Sequence, residues 1–397
     1  MAPAISKFEK YLFYFVIIDI LFAPYMFFLA TSFSQFFVLG WFFVKKKQNF
    51  IAKEVKFYYW ILVFILIGCF ISLFTIPNDT GFYFIDNIKR GLNLWMGLSY
   101  YFFFYYIFKS TNIELRKWLI VIVIYITLWG ILYYINIEYF FILKNIFSPF
   151  DSTMTVKDLI LFRFNFIWTD PNNVGYALVG IISFLVIDKN VPNTVLMGIL
   201  TVFMFCLLLI MSGGAIVSLV LVLPIAFLIR TTKTKNLFGI ISLIILILAT
   251  TYLITKYSGT ILNSEVGETS MNRLESKATT EDGRKNIYLN LLASKNVLLY
   301  LFAGEGSNIF MKGKVYSPHS GHFMLIFSFG MICYLIYMYI VFRKTKKMPW
   351  ADYLPIIPFL IGFTLNIGIG ELKFAAILYT IVAFVRVRNS NFVDLSK

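Results

Sequence analysis

Residues 194–230 read TVLMGILTVFMFCLLLIMSGGAIVSLVLVLPIAFLIR, and no charged side chain occurs between Lys189 and Arg230. Two apolar runs, 194–211 and 213–230, flank the small, polar turn Ser212-Gly213-Gly214. A helix needs about 20 mainly apolar residues to cross a bilayer, and somewhat shorter runs serve as kinked or broken spans. The stretch therefore reads as two membrane helices joined by a tight outer turn.

Working outward, the same pattern recurs. Apolar runs at 9–22, 28–44, 57–76, 91–108 and 117–136 precede a long mixed segment. Runs at 172–187, 194–211, 213–230 and 237–256 follow, then a second long segment, then 320–342, 352–367 and 373–387. The fold class expected is all-α: a polytopic membrane bundle of about 12 helices forming a single integral membrane domain over 1–397. Residues 11–44 are nearly continuous in apolarity, and Pro24 with the polar stretch Thr31–Gln35 marks the break between the first two spans.

Composition agrees. Of 397 residues, 59% are apolar and 14% charged; Phe alone accounts for 45, and the mean hydropathy is +0.79. Soluble domains run at about 45–50% apolar and about 25% charged. A globule in water could not hide this much apolar surface. The figures exclude a cytosolic enzyme, a disordered chain and a disulfide-stapled secreted domain. Cys69, Cys206 and Cys333 sit far apart inside apolar runs and read as small buried hydrophobes. The first apolar run follows Lys7, Glu9 and Lys10 without a small-residue cleavage site, so it reads as a retained helix rather than a signal peptide.

The net charge of +15 could suggest nucleic acid, but no soluble basic domain exists to bind it. Topology explains it instead. With the N-terminus inside, 21 of the 35 basic residues fall in cytoplasmic segments, including Lys45–Lys47, Arg230 and Arg343. Short outer loops hold Lys89, Arg90 and Lys373 alone. Counted over short loops, the positive-inside rule places both termini in the cytoplasm. The remaining 11 basic residues lie in two long outer segments. One is an interfacial segment, 137–171, with an amphipathic patch at Val156–Trp168. The other is a large extracytoplasmic loop, 256–319, with a helix expected near 281–301 on the spacing of Ile287, Leu291, Leu292 and Leu298.

These two segments carry the candidate chemistry. In Glu281-Asp282-Gly283-Arg284-Lys285, Arg284 shares a helix face with Tyr288. Its planar fork of donors suits phosphate oxygens, although spacing alone fits a solvated charged face as well. Ser317-Pro318-His319-Ser320-Gly321-His322 contains both histidines of the chain. Ser317 suits a helix cap and Pro318 the first helical position, which puts His319 in the first turn. There it is either a general base, kept neutral by the helix N-terminus, or a helix-start residue without a further role. His322, one turn on, reads as structural or substrate-lining. Two histidines are too few ligands for a metal. Arg163 lies in an aromatic, apolar stretch that runs on to Asp170-Pro171-Asn172-Asn173. Asp170 and Pro171 read as plain helix-start chemistry. Arg163 is a cation at membrane depth and a functional candidate on that ground. Gly304-Glu305-Gly306 reads as a turn, not a dinucleotide loop. Asp19 and Glu371 read as helix-end residues more readily than as an ion pathway.

In this order and placement, Arg163, Asp170-Pro171-Asn172, Gly283-Arg284, Gly304-Glu305-Gly306, Pro318-His319-Ser320 and Gly330 resemble the O-antigen polymerase and ligase superfamily of bacterial membrane glycosyltransferases. The motifs cover about 160–345. Two departures stand out: Ser320 where the family usually has Asn after the histidine, and Ser212-Gly213-Gly214 where it often has Ser-Arg-Gly. The resemblance implies metal-independent, inverting glycosyl transfer on the outer face of the bacterial cytoplasmic membrane, with no cofactor. The donor it implies is an oligosaccharide on undecaprenyl pyrophosphate. Arg163 and Arg284 would hold the leaving pyrophosphate, and His319 would activate the acceptor hydroxyl. Asp170, Asn172, Tyr288 and His322 would line the substrate. The resemblance favours a repeat-unit polymerase for O-antigen or capsule, working beside membrane lipid with a flippase and a chain-length regulator. A ligase handing finished glycan to a lipid or wall acceptor is the alternative. A polysaccharide or lipid-linked sugar transporter is a third reading, and would need ionisable residues through many spans.

Overall fold

The computed structural model describes residues 5–22, 32–49, 52–75, 82–147, 164–168, 170–210, 212–234, 297–306, 309–311, 314–316, 320–343, 349–365 and 372–394. The chain is helical. Four of its helical stretches, Lys53–Thr75, Leu115–Ile135, Asn193–Ile210 and Gly213–Thr232, are long and apolar enough to cross a membrane. That length and composition mark a membrane protein. Two compact units are present: Met1–Leu115 with Ile146–Pro149 and Lys295–Lys397, and Arg116–Asn145 with Phe150–Ser294.

The first unit begins with α1 (Lys7–Phe22), α2 (Phe33–Asn49), α3 (Ala52–Thr75) and α4 (Phe82–Ser110). The polar stretch expected to break the first apolar run proves to be the start of α2. Lys89 and Arg90, expected in an outer loop, fall inside α4. Helix α4 is the pillar of this unit. Residues Leu98 to Phe104 are at most 1% exposed, because α2, α3 and the C-terminal helix α14 (Leu372–Asp394) surround them. A helix that is apolar on every side must be central. At the opposite extreme, α3 leaves Leu66 and Phe70 more than half exposed. An outward apolar face of that kind suits lipid and would be costly in water.

One group of charges ties four helices together. Glu54 of α3 is buried and meets the Arg343 guanidinium at 2.9 Å and that of Arg386 at 3.8 Å. Arg386, on α14, also donates to the Tyr101 hydroxyl of α4 and to the Ile340 carbonyl. Burial works against the Arg343 charge, but the Glu54 carboxylate outweighs it and raises the guanidinium pKa above its ordinary value. Arg388 pairs with buried Asp352 in the same unit.

The apolar run 320–342, expected as one span, is two helices. Helix α11 (Gly321–Phe329) stops and α12 (Met331–Phe342) starts at Gly330, whose φ is +91°. The expected cap is displaced as well: Ser320, not Ser317, precedes the first residue of α11, and its hydroxyl turns away to the Phe363 carbonyl. The short helix α10 (Val297–Phe302) and the segment Ala303–Gly306 cause the break. The Glu305 and Gly306 amides donate to the Phe327 and Ser328 carbonyls at 2.8 and 3.0 Å. These are carbonyls at the end of α11 that continuous helix would have used. A Cβ on Gly304 would overlap the Ser328 backbone, so glycine is required for the approach. Ala303–Gly306 is buried, although it belongs to a stretch expected as an outer loop. A short antiparallel hairpin follows, β1 (Ile309–Met311) with β2 (Lys314–Tyr316), pairing Phe310 with Val315. The apolar run 352–367 is also composite: a 3-10 turn, Trp350–Ile356, leads into α13 (Ile357–Leu365) at Pro355 and Pro358.

The second unit holds α5 (Leu115–Ile135), α6 (Ile137–Phe147), α7 (Pro171–Ile187), α8 (Asn193–Ile210) and α9 (Gly213–Thr234). Helix α7 is its pillar: Asn173 to Ile187 are all buried, with α8 and α9 packed against it. The Arg230 guanidinium clamps one end, donating to the carbonyls of Val186, Asp188 and Val191 and to the Asn193 side chain at 2.7–3.0 Å. A cation at a helix C-terminus answers both its unused carbonyls and its dipole.

Candidate functional site

Arg163, Arg284, Tyr288 and His319 lie outside the described residues, as do the helix expected near 281–301 up to its final turn and most of the Val156–Trp168 patch. Asp170, Asn172 and His322 are described. Asp170 and Asn172 come together in the second unit; His322 belongs to the first.

Asp170 caps α7 as its sequence context predicts. Its backbone is extended, its Oδ1 accepts the Asn172 amide at 2.7 Å, and Pro171 takes the first helical position. The Asn172 side chain then reaches a second helix. Its Oδ1 accepts the Ser212 hydroxyl at 2.9 Å, and the Ser212 Oγ in turn accepts the Ala215 amide at 3.2 Å. Ser212 is thus the cap of α9. One hydrogen-bonded chain joins the N-termini of α7 and α9, side by side and pointing the same way. The helices touch one turn further in, where a Cβ on Gly175 would come within 2.6 Å of the Ala215 Cβ. Two adjacent N-termini present the positive ends of two dipoles, an arrangement that favours anions.

The same end of this unit holds a buried cation. Lys144 of α6 is 0% exposed and donates to the Asn165 Oδ1 at 2.9 Å. Its ammonium lies 6.0 Å from the Phe141 ring. Asn165 sits in a buried segment, Phe164–Trp168, that is tied to the end of α8 by the Phe164 amide on the Leu209 carbonyl at 3.2 Å. Phe166 has φ +55°, a conformation a bulky residue adopts only under constraint. The constraint is aromatic: the Phe166 ring packs edge-on against Tyr125, Trp129 and Trp168. Sequence reasoning passed over Lys144 because α6 was read as part of an interfacial segment. The signal was present. Lys144 stands in the apolar run IEYFFILKNIF, the same context that singled out Arg163.

His322 lies in the first turn of α11, half-buried, with its Nδ1 3.3 Å from the Tyr334 hydroxyl and its ring edge-on to Tyr334 and Phe363. Ser320 donates to the Phe363 carbonyl at 3.1 Å. His322 therefore fixes α11 against α12 and α13. Among the described residues, no three His, Cys, Asp or Glu side chains are grouped as a metal would need.

What the fold and this helix-end arrangement define is a class: a helical membrane protein with an anion-receptive end in its second unit. Beyond that class, the chain matches no family model, no curated protein and no solved structure.

Proposed function

We propose that the chain is a membrane glycosyltransferase of the repeat-unit polymerase type, drawing its donor glycan from undecaprenyl pyrophosphate. The observation that carries this reading is the pairing of the α7 and α9 N-termini through Asn172 and Ser212, at the end of the unit where Lys144 is buried. A pyrophosphate leaving group needs donors and positive potential where its charge develops. Amide ends and a lysine supply both without a metal. In this reading about 12 spans place both termini in the cytoplasm and the α7–α9 end on the outer face, and Arg163 helps to hold the leaving group. Arg284 takes the role of leaving-group clamp and His319 that of acceptor base.

The test is mutational and reconstitutive. Arg284→Ala and His319→Ala should abolish glycan extension while the protein still inserts in the membrane; normal long-chain product from either overturns the assignment. Purified protein given lipid-linked repeat units alone should build a ladder. Reaction only after a different acceptor is added identifies a ligase instead.

A second reading rests on the Gly330 break. A helix interrupted within the bundle, with backbone of Ala303–Gly306 paired to its free carbonyls, is the device transporters use at substrate sites. Movement of lipid-linked glycan across vesicles without elongation would favour that reading.

A further inference from the structure

The first turn of α2 holds a buried group of oxygens for which the glycan reading has no use. Asp19, near the end of α1, is 1% exposed, and its Oδ2 accepts the Ser34 amide at 2.8 Å. That bond is the one a residue preceding a helix normally makes with its own side chain. Ser32 occupies that position, and because Asp19 has taken the amide, the Ser32 hydroxyl is buried with no partner among the described residues. Gln35 closes the turn: its amide donates to the Ser32 carbonyl at 3.2 Å and its Nε2 to the Asn93 carbonyl at 3.2 Å. The Gln35 Oε1 and the Asp19 Oδ1 have no donor among the described residues. Ser34 and Tyr100, bonded at 2.7 Å, wall one side.

Three side-chain oxygens, two at the start of α2 and one on α1, thus face no donor among the described residues, in residues between 0 and 1% exposed. One belongs to a carboxylate, and no cationic side chain pairs with it among the described residues. The fractional charge at the α2 N-terminus offsets only part of a full negative charge. Buried carboxylates in a low dielectric take up a proton, are matched by a counter-charge or are bound to a cation. The Ser32 hydroxyl can donate to one acceptor and leaves the other, and the charge, unanswered. A water molecule brings donors but no charge. A divalent ion would bring one positive charge more than a single aspartate offsets. An alkali-metal cation answers all three oxygens and balances the charge one for one.

We propose that Asp19, Ser32 and Gln35 form a binding site for one alkali-metal cation at the start of α2. The site rests on the geometry of this turn and is independent of the glycan reading. The probe is sodium, with the purified full-length protein in detergent. Its unfolding midpoint is compared in sodium chloride and in N-methylglucamine chloride at equal ionic strength, and retention of radioactive sodium is counted. Sodium at ten times its dissociation constant should raise the midpoint by roughly 3 °C, with one ion held per chain. Asp19→Asn, which keeps an acceptor for the Ser34 amide, should lose both effects. Ser32→Ala removes only a hydroxyl and should weaken sodium retention several-fold. The proposal is overturned if the wild-type midpoint is the same in the two salts and no sodium is retained. It is equally overturned if the sodium effect survives Asp19→Asn, which places the ion elsewhere. Should Asp19→Asn fail to fold, sodium retention unchanged in Ser32→Ala overturns it alone.

Discussion

Gly330→Ala should destabilise the protein by an amount that can be worked from the break itself. The backbone there has φ +91° and ψ 158°, a region populated essentially by glycine. Holding alanine in it costs about 1–3 kcal/mol. The new methyl group would also stand 2.9 Å from the Ala303 nitrogen and 3.0 Å from the Phe302 carbonyl carbon. Both are backbone atoms, and the Ala303 amide is held by its bond to the Leu299 carbonyl at 2.8 Å, so neither yields as a side chain would. Overpacking of this kind costs about 1–3 kcal/mol more. The total of roughly 2–6 kcal/mol corresponds to a fall of between about 4 and 20 °C in the unfolding midpoint. Thermal unfolding of the purified protein, followed by tryptophan emission, measures it. Gly198→Ala is the matched control. It lies within α8, its added Cβ meets nothing within 4 Å, and alanine there should be neutral or stabilising by up to about 1 kcal/mol. If Gly330→Ala melts with Gly198→Ala or the wild type, the broken span is wrong. α11 and α12 would then be one helix.

Two further substitutions test the charges. Glu54→Ala leaves the buried Arg386 and half-buried Arg343 guanidinium groups without their carboxylate, and should cost about 3 kcal/mol. A loss below about 1 kcal/mol in a denaturant titration would show that the cluster is not closed as described. Adding Arg343→Met to Glu54→Ala should recover part of the loss. Lys144→Met replaces a buried cation by an apolar side chain of similar length, so the fold should persist. Under the proposed function, losing this buried positive charge near the α7 and α9 N-termini should weaken binding of a polyprenyl pyrophosphate, by roughly 10-fold for about 1.4 kcal/mol of lost attraction. Equal affinity in a direct binding titration would remove Lys144 from the site.

Sequence alone carried the helical membrane class, because apolar runs near 20 residues have few other uses. It also carried the α7 start, since Asp170 and Pro171 encode a cap within four residues of chain. The Gly330 break was not legible. Residues 320–342 are apolar throughout, and what stops α11 is a segment more than twenty residues upstream whose amides take its carbonyls. Glycine at 304 and 330 permits that approach but looks, in a row of letters, like any glycine in a membrane helix. Lys144 and Asn165 were hidden for a similar reason. Their bond depends on a backbone turn at Phe166 set by aromatic packing from α5. Asp19 was read as a solvated helix-end residue. What contradicts that reading is its burial and its bond to Ser34, both of which arise only when α1 and α2 pack.

The charges of the second unit sharpen where an anion would sit. Helix α7 is answered at both ends, by Asp170 at its amides and Arg230 at its carbonyls. Helix α9 is different. Its start is capped by Ser212, a neutral hydroxyl, and that hydroxyl is itself engaged by Asn172. The two N-termini are adjacent, but only that of α7 already has a carboxylate beside it. An approaching pyrophosphate would be repelled by Asp170 and drawn by the dipole of α9. The Ser212-Gly213-Gly214 turn supports close approach, since a Cβ on Gly213 would meet no atom within 4 Å. The nearby positive charge comes from a lysine on α6, buried behind a bent aromatic segment tied to the last turn of α8.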